Sequence, residues 1–141
     1  MHTVNRVLLL VGDVLQRVLE EYLIHEGVHV ITCHSEDHLR AIARPSGDVV
    51  VFEYWRRGEE QLHDEARRDL ARMGRIAPTV LLTTHDWART ARAPELGISV
   101  ILQLPFELES LWTAVKWAVS GQSTPAFAAW KPEPMLSSRL N

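Results

Sequence analysis

Five short apolar runs recur along the chain, and each is followed by a segment whose apolar residues have helical spacing. The runs lie at residues 7–11, 28–33, 48–53, 78–84 and 97–103. The first run shows no alternation of apolar and polar residues, which is typical of a strand buried on both faces. Strands that alternate with helices through short connections predict right-handed crossovers and a parallel sheet covered by helices. The pattern therefore predicts a three-layer α/β domain.

Helix-like segments fill the intervals between the runs. After the first run, helical spacing continues as far as Gly27, which supplies a stop signal, and Ser35 is a preferred N-cap for a short second helix. A third helix is predicted over residues 59–73. A weakly helical segment at residues 85–96 is interrupted by Pro94. The most regular stripe belongs to the last helix, at residues 107–120, and consists of Leu108, Leu111, Trp112, Val115 and Val119.

The length of 141 residues suits one domain with a proper core rather than two. We expect that domain to cover residues 1–121. Residues 122–141 differ in composition, with three prolines and the apolar Phe127, Trp130 and Met135. They are predicted to form a tail that is either flexible or packed on the domain or a partner.

Charge and cysteine content exclude several classes of function. The chain has 15 basic and 18 acidic residues and a net charge of -3, so no basic surface for nucleic acid is expected. A single cysteine, Cys33, excludes an internal disulfide, fits a reducing compartment and is predicted to be packed. The apolar runs are too short to span a bilayer, and the amino terminus lacks the form of a signal peptide. We therefore expect a cytoplasmic protein with no membrane or nucleic-acid partner.

Arginines are concentrated in the segment that contains the predicted third helix. They are Arg56, Arg57, Arg67, Arg68, Arg72 and Arg75. They alternate with the acidic residues Glu59, Glu60, Asp64, Glu65 and Asp69. Alternating charge of this kind favours a solvated helix face over a basic binding patch.

Four short segments lie at the carboxyl ends of predicted strands, where α/β proteins usually place their sites. They are Val11-Gly12-Asp13, Glu53, Leu82-Thr83-Thr84 and Leu104-Pro105-Phe106. In this order they resemble the acidic pair, the phosphoacceptor Asp, the switch threonine and the Lys-Pro-Phe segment of the receiver domains of bacterial two-component response regulators. The resemblance covers about residues 5–121. It implies a flavodoxin-like (βα)5 receiver fold, with a five-stranded parallel sheet in the order 2-1-3-4-5.

The chain departs from the family at most of the positions that carry its chemistry. Gly12 replaces the first acidic residue, Glu53 the phosphoacceptor Asp, Leu104 the Lys, and Ile101 the usual aromatic switch residue. Only Asp13 and Thr83 match the functional set.

These departures remove much of what phosphoryl transfer requires, namely positioning and neutralisation of charge. Mg²⁺ prefers octahedral oxygen ligation, and only Asp13 and Glu53 remain to provide carboxylates. The additional methylene of Glu53 displaces its oxygens by about 1 Å or more, an error that costs on the order of 10²-fold in catalysis. Leu104 cannot hold phosphoryl oxygens. We predict a pseudo-receiver that is not phosphorylated, has no enzymatic activity and needs no cofactor, apart from a weak Mg²⁺ site at Asp13 and Glu53.

Several roles stay open for the residues of this degenerate phosphorylation site. Glu53 is interpreted as a partly solvated carboxylate bonded to Thr83 or a loop amide, as a mimic of a phosphorylated Asp, or as part of a ligand site. Asp13 is a candidate N-cap for the first helix. His85 follows the fourth strand and is expected to be a solvated loop residue. His34 and His38 have i, i+4 spacing, but no third metal ligand is evident nearby.

Trp117 is predicted to lie at or near the surface of the last helix. The resemblance implies a dimer or partner surface formed by the fourth helix, fifth strand and fifth helix, where Trp87, Ile101 and Lys116 would also lie. Exposed tryptophans are enriched at interfaces. Alternatively, Trp130 or Phe127 of the tail covers Trp117.

Three functional hypotheses follow. In the first, the chain is a stand-alone pseudo-receiver that acts in signal transduction by binding itself or another protein. In the second, it is a regulatory module whose strand-end cleft, lined by Asp13, Glu53, Thr83 and His85, binds a metal or small molecule. In the third, an unconventional modification still switches it.

Overall fold

A computed structural model describes residues 4–120 of the chain as one five-stranded sheet with helices on both faces. The strands are β1 (Arg6–Leu10), β2 (His29–Thr32), β3 (Asp48–Glu53), β4 (Thr79–Thr83) and β5 (Val100–Gln103). All neighbouring strands are parallel, and their order is β2-β1-β3-β4-β5. The predicted flavodoxin-like receiver fold and its strand order are confirmed. The predicted tail at 122–141 lies outside the described residues.

The helices are α1 (Asp13–His25), α2 (Glu36–Ile42), α3 (Asp64–Ile76), α4 (Ala93–Leu96) and α5 (Leu108–Ser120), with a 3₁₀ turn at Asp86–Arg89. Ser35 caps α2 as predicted, because its hydroxyl accepts a hydrogen bond from the backbone N–H of His38 at 3.0 Å. None of the helices between residues 4 and 120 has the length and apolar character that a membrane crossing needs.

The sheet is buried on both faces, which explains why its strands read as continuous apolar runs. Side chains alternate between faces along a strand. Val7 and Leu9 of β1 belong to the core under α1 and α5, whereas Leu8 between them packs with Leu39 of α2 on the other side. Cys33 is buried on that second side, as predicted, and burial raises the pKa of its thiol.

A partly buried ion pair joins the amino ends of β1 and β3, where Arg6 lies opposite Asp48 in the parallel register. The Arg6 guanidinium donates Nε to Oδ1 at 3.0 Å and Nη2 to Oδ2 at 2.6 Å, and the Arg44 amide adds a third bond at 2.8 Å. Burial opposes ionisation, but hydrogen bonds from Arg6 and Arg44 outweigh it and hold the pKa of Asp48 below its usual range. This carboxylate therefore stays charged inside the protein.

Two helices begin at different places from those expected. The third was predicted from Glu59 but begins at Asp64, because Glu59 is turned inward and only 3% exposed. Pro94 was predicted to interrupt the fourth, yet it lies in the first turn of α4, where its missing N–H costs no hydrogen bond. Gly97, with a φ of 75°, ends that helix in the left-handed conformation.

The solvent-facing side of α1 is more apolar than expected. Val18 shares the helical spacing of the apolar residues of α1 but is 47% exposed, and Val14 near the start of the helix is 84% exposed. Leu19 and Leu23 are the residues of this helix that are fully buried.

Candidate functional site

Glu53 ends β3 at the carboxyl edge of the sheet and is half-buried. Its Oε1 accepts a hydrogen bond from the backbone N–H of Gly12 at 2.7 Å. The bond to a loop amide is therefore present, whereas the hydroxyl of Thr83 is engaged elsewhere. This hydrogen bond joins the loop after β1 to the end of β3. One oxygen of the Glu53 carboxylate therefore has a structural role.

Asp13 does not cap α1, which corrects the sequence-based expectation. The N-cap position is occupied by Gly12, whose φ of -69° and ψ of 162° are extended, and Asp13 is already the first helical residue. Its side chain is exposed at the positive end of the helix dipole, where a carboxylate is favourable.

Thr83 and Leu104 are the other two positions of the degenerate site. Thr83 is fully buried, and its Oγ1 accepts a hydrogen bond from the backbone N–H of His85 at 3.1 Å. Leu104 is half-buried and packs against the core under α1 and α5. The hydroxyl is thus used within its own loop, and an apolar side chain stands where the resemblance implies an ammonium.

His85 is buried, at 8% exposure, rather than solvated as predicted. Its ring lies between two tryptophans. The centroid of Trp55 is 5.9 Å away at an interplanar angle of 4°, and that of Trp87 is 5.5 Å away at 19°. The Nε2 atom accepts a hydrogen bond from the backbone N–H of Arg56 at 2.9 Å.

The loop after β4 is therefore fixed from three directions. His85 donates its N–H to Thr83 on β4, accepts from Arg56 in the loop after β3, and accepts at its carbonyl from Nε2 of Gln103 on β5 at 3.2 Å. Each bond starts from a different strand end. Together they tie the three loops at this edge into one unit.

A buried carboxylate that sequence reasoning assigned to a solvated helix face lies beside His85. The Glu59 side chain is fully enclosed; its Oε1 accepts from the Tyr54 hydroxyl at 2.8 Å, and its Oε2 accepts from the His63 amide at 3.1 Å. The Nε2 of His85 is 3.7 Å from Oε1. Burial, reinforced by the neighbouring Glu59 charge, raises the pKa of Tyr54. The one local signal for this arrangement is Gly58, a turn residue with a φ of 74° directly before Glu59.

Two of the four residues predicted to line a ligand cleft are enclosed. Thr83 and His85 are buried, and one oxygen of Glu53 is taken by Gly12. Between residues 4 and 120, no group of three or more His, Cys, Asp or Glu side chains could hold a metal ion. His34 and His38 stack with their centroids 6.0 Å apart, and no third ligand joins them among the described residues.

The predicted interaction surface is only partly exposed. Trp87 is 9% exposed and packs in the core beside His85, so it does not contribute an open surface, which corrects that expectation. Trp117 and Ile101 are half-buried. Lys116 is exposed, with its Nζ 5.4 Å from the ring centroid of Trp112.

A different tryptophan is the exposed one. Trp55 follows β3 and is 58% exposed, with one face on His85. Because Glu53 is bonded to Gly12, Trp55 after β3 and the exposed Val14 in the first turn of α1 both lie close in sequence to the altered site. Sequence reasoning missed both residues, since Trp55 directly follows a strand and Val14 continues an apolar helical pattern.

Solved structures with the same backbone arrangement include response regulators and receiver domains. The response regulator StyR matches with a TM-score of 0.62 and 23% identity, over 84% of this chain and 60% of StyR. FixJ-N matches with a TM-score of 0.62 and 20% identity, over 85% of this chain and 97% of that one. The HemR receiver domain of Leptospira biflexa matches with a TM-score of 0.57 and 21% identity, over 85% of this chain and 98% of that domain. The chain has the fold of a response-regulator receiver domain.

The receiver fold accounts for nearly all of the described residues. The chain spans about three fifths of the length of StyR and nearly the whole of FixJ-N and of the HemR domain. No protein-family model and no curated protein matches the chain. The structural match shows the receiver fold, and at these identities the chemistry has to be argued from the site itself.

Proposed function

We propose that this chain is a pseudo-receiver, a signalling module with the receiver fold that acts by protein–protein interaction without being phosphorylated. The observation that carries the proposal is the state of the altered site. The carboxylate of Glu53 and the hydroxyl of Thr83 each accept a backbone hydrogen bond, and apolar Leu104 occupies the third position.

Phosphoryl transfer to a carboxylate requires a free oxygen in line with the donor and cations that neutralise the developing charge. Here one oxygen of Glu53 is held by Gly12, and the described residues provide no cluster of three metal ligands. Leu104 supplies no positive charge. The arrangement favours a carboxylate that stabilises the loops over one that accepts a phosphoryl group.

The fixed loop after β4 supports an interaction that does not depend on switching. His85 is hydrogen-bonded to Arg56 after β3, to Thr83 of β4 and to Gln103 of β5. Its ring lies between those of Trp55 and Trp87. A segment that is held this way presents one surface to a partner at all times. We therefore infer a constitutive interaction rather than a regulated one.

The decisive experiment treats the full chain with acetyl phosphate and Mg²⁺ and measures intact mass. We expect no phosphoryl adduct, and no thermal shift with beryllofluoride. The matched control is the triple variant Gly12→Asp, Glu53→Asp and Leu104→Lys, which restores the residues implied by the resemblance and is expected to gain an adduct. A stable adduct on Glu53 of the unaltered chain would overturn the proposal.

We place one contact surface, for a second copy or another protein, on α4, β5 and α5, around Ile101, Lys116 and Trp117. Lys116 is an exposed charge beside Trp117. Light scattering on the full chain and on Lys116→Glu tests whether the surface binds a second copy, because charge reversal should convert a dimer to a monomer. A monomer in both cases rules out a second copy as the occupant.

A further inference from the structure

An open groove lies between α2 and α3, at the amino edge of the sheet and away from Glu53. It has a volume of about 470 Å³. Its lining consists of Arg40, Ala43, Pro45, Arg72, Arg75 and Ile76. The groove thus combines three guanidinium groups with three small or apolar side chains. None of these residues belongs to the altered site or to the α4, β5 and α5 surface.

The groove carries more positive than negative charge. Glu36 accepts hydrogen bonds from Arg40 at 2.7 Å and from Arg72 at 2.9 Å, and Asp69 lies 3.1 Å from Arg72. Arg75, which is exposed, makes no ion pair with any residue between 4 and 120. Three guanidinium groups therefore share two carboxylates in a protein whose net charge is -3. This local excess distinguishes the groove from the alternating charges elsewhere on α3.

The Glu36 contacts also orient two of the arginines. The carboxylate bridges α2 and α3, because Arg40 and Arg72 come from different helices. Each guanidinium has five donors in a planar fork, so donors remain after these bonds are made. Arg40 and Arg72 are thus fixed in place while still able to bind a further acceptor, which reduces the entropy lost when a ligand is held.

We propose that this groove binds an acidic segment of a partner protein, with carboxylates on Arg40, Arg72 and Arg75 and apolar side chains on Ala43, Pro45 and Ile76. The inference rests on the proposed function, since it gives the chemistry of one partner of the interaction module. It adds a second surface to the one on α5.

The surroundings favour an acidic chain segment over a nucleotide. Phosphates in proteins are typically held by backbone N–H groups at helix N-termini, whereas this groove lies along the carboxyl-terminal halves of both helices. The lining has no aromatic ring on which a nucleotide base could stack. Arginine pairs with carboxylates through two parallel hydrogen bonds, and an open groove suits a chain segment better than an enclosed small molecule.

The test is fluorescence anisotropy with the full chain and a short labelled peptide of glutamates interspersed with leucines. A peptide with glutamine in place of each glutamate is the control probe. We expect saturable binding of the glutamate peptide alone, weakened by added salt because the contacts are solvent-exposed. Arg75→Glu should weaken binding about tenfold. Arg17→Glu, an exposed charge reversal on α1, should change it by less than about twofold.

Three outcomes would overturn the proposal. They are the absence of saturable binding at about 1 mM peptide, equal effects of Arg75→Glu and Arg17→Glu, and tighter binding of AMP than of the peptide. Thermal melts of both variants check that they fold. If the peptide does not bind and acetyl phosphate leaves no adduct on Glu53, the groove proposal fails and the proposed function stands. If an adduct forms on Glu53, the proposed function fails, whether or not the peptide binds.

Discussion

The hydroxyl of Tyr54 donates a hydrogen bond of 2.8 Å to the buried carboxylate of Glu59, five residues further along the chain. This pair closes the loop after β3 on itself and brings Glu59 to within 3.7 Å of His85. Burying a carboxylate is costly unless its oxygens are hydrogen-bonded. The stability of this edge of the sheet therefore depends on the donors around Glu59.

Tyr54→Phe should lower the free energy of unfolding by about 1–3 kcal/mol, because Glu59 loses a donor without regaining water. Urea denaturation monitored by circular dichroism measures the change. Tyr22→Phe is the matched control, since the half-buried Tyr22 hydroxyl makes no hydrogen bond within the described residues. Equal losses in the two variants would contradict the role assigned to the Tyr54–Glu59 pair.

Stability should fall at alkaline pH. Burial raises the pKa of both Tyr54 and Tyr22 above the ordinary value, with neighbouring carboxylates adding to the effect. The folded state therefore prefers the neutral phenols, while the unfolded chain ionises above about pH 10. Unfolding becomes easier as the pH rises beyond that value. An ultraviolet titration of the native chain should show both tyrosines ionising later than they do in denaturant; coincident curves would refute this.

Asp48→Asn should cost about 3 kcal/mol near neutral pH, because it leaves the Arg6 guanidinium without its buried partner. The pKa of Asp48 is lowered in the folded state, so its contribution is complete above the unfolded value of about 3.9 and is lost as pH falls through the folded value. The difference between the two proteins should shrink in acid. Denaturant unfolding across pH measures it.

Asp86→Asn provides the control for that experiment, since Asp86 is exposed and its ion pair with Arg89 is long, at 3.9 Å. Its substitution should change stability by no more than about 0.5 kcal/mol. If the loss in Asp48→Asn persisted undiminished in acid, ionisation of the carboxylate would not be its cause.

Gly74→Ala should destabilise the protein by about 1–3 kcal/mol. A β-carbon at this position of α3 would collide with the carbonyl oxygen of Gly97 at the end of α4. The direction is informative, because alanine in a helix is otherwise favoured over glycine by about 1 kcal/mol. Thermal unfolding of Gly74→Ala and of Arg68→Ala, an exposed substitution on the same helix, measures the difference in stability. A stabilised Gly74→Ala would show that the two helices are further apart.

The architecture follows from local patterns, whereas much of the site does not. Uninterrupted apolar strands and alternating elements require a parallel sheet with two covered faces, and that prediction is confirmed. Glu59 was misplaced because its partner Tyr54 lies in an irregular loop, and a charged residue before a helical pattern normally faces water. His85 and Trp87 are buried by stacking on each other and on Trp55, a contact between loops that no periodicity reports.

Pro94 shows, within the single helix α4, that local sequence does not fix the structure without tertiary contacts. Proline is compatible with the first turn of a helix and breaks its interior. The two cases differ only in where the helix starts. That start is set by Ala93 and Leu96, which are buried in the cluster that contains Trp87. Local sequence therefore predicts the residue's effect only after tertiary packing has placed the helix.

The strand order has a consequence for how the chain acquires its structure during synthesis. β2 pairs with β1, β3 joins the other side of β1, and β4 and β5 then add in turn at the same free edge. No later strand has to insert between two that are already paired, so the sheet can grow vectorially as the ribosome releases it. Leu111, Ala114, Val115 and Ala118 of α5 arrive last and cover one apolar face. Nascent chains stalled before residue 108 should therefore expose that face and recruit chaperones, and those released after α5 should not.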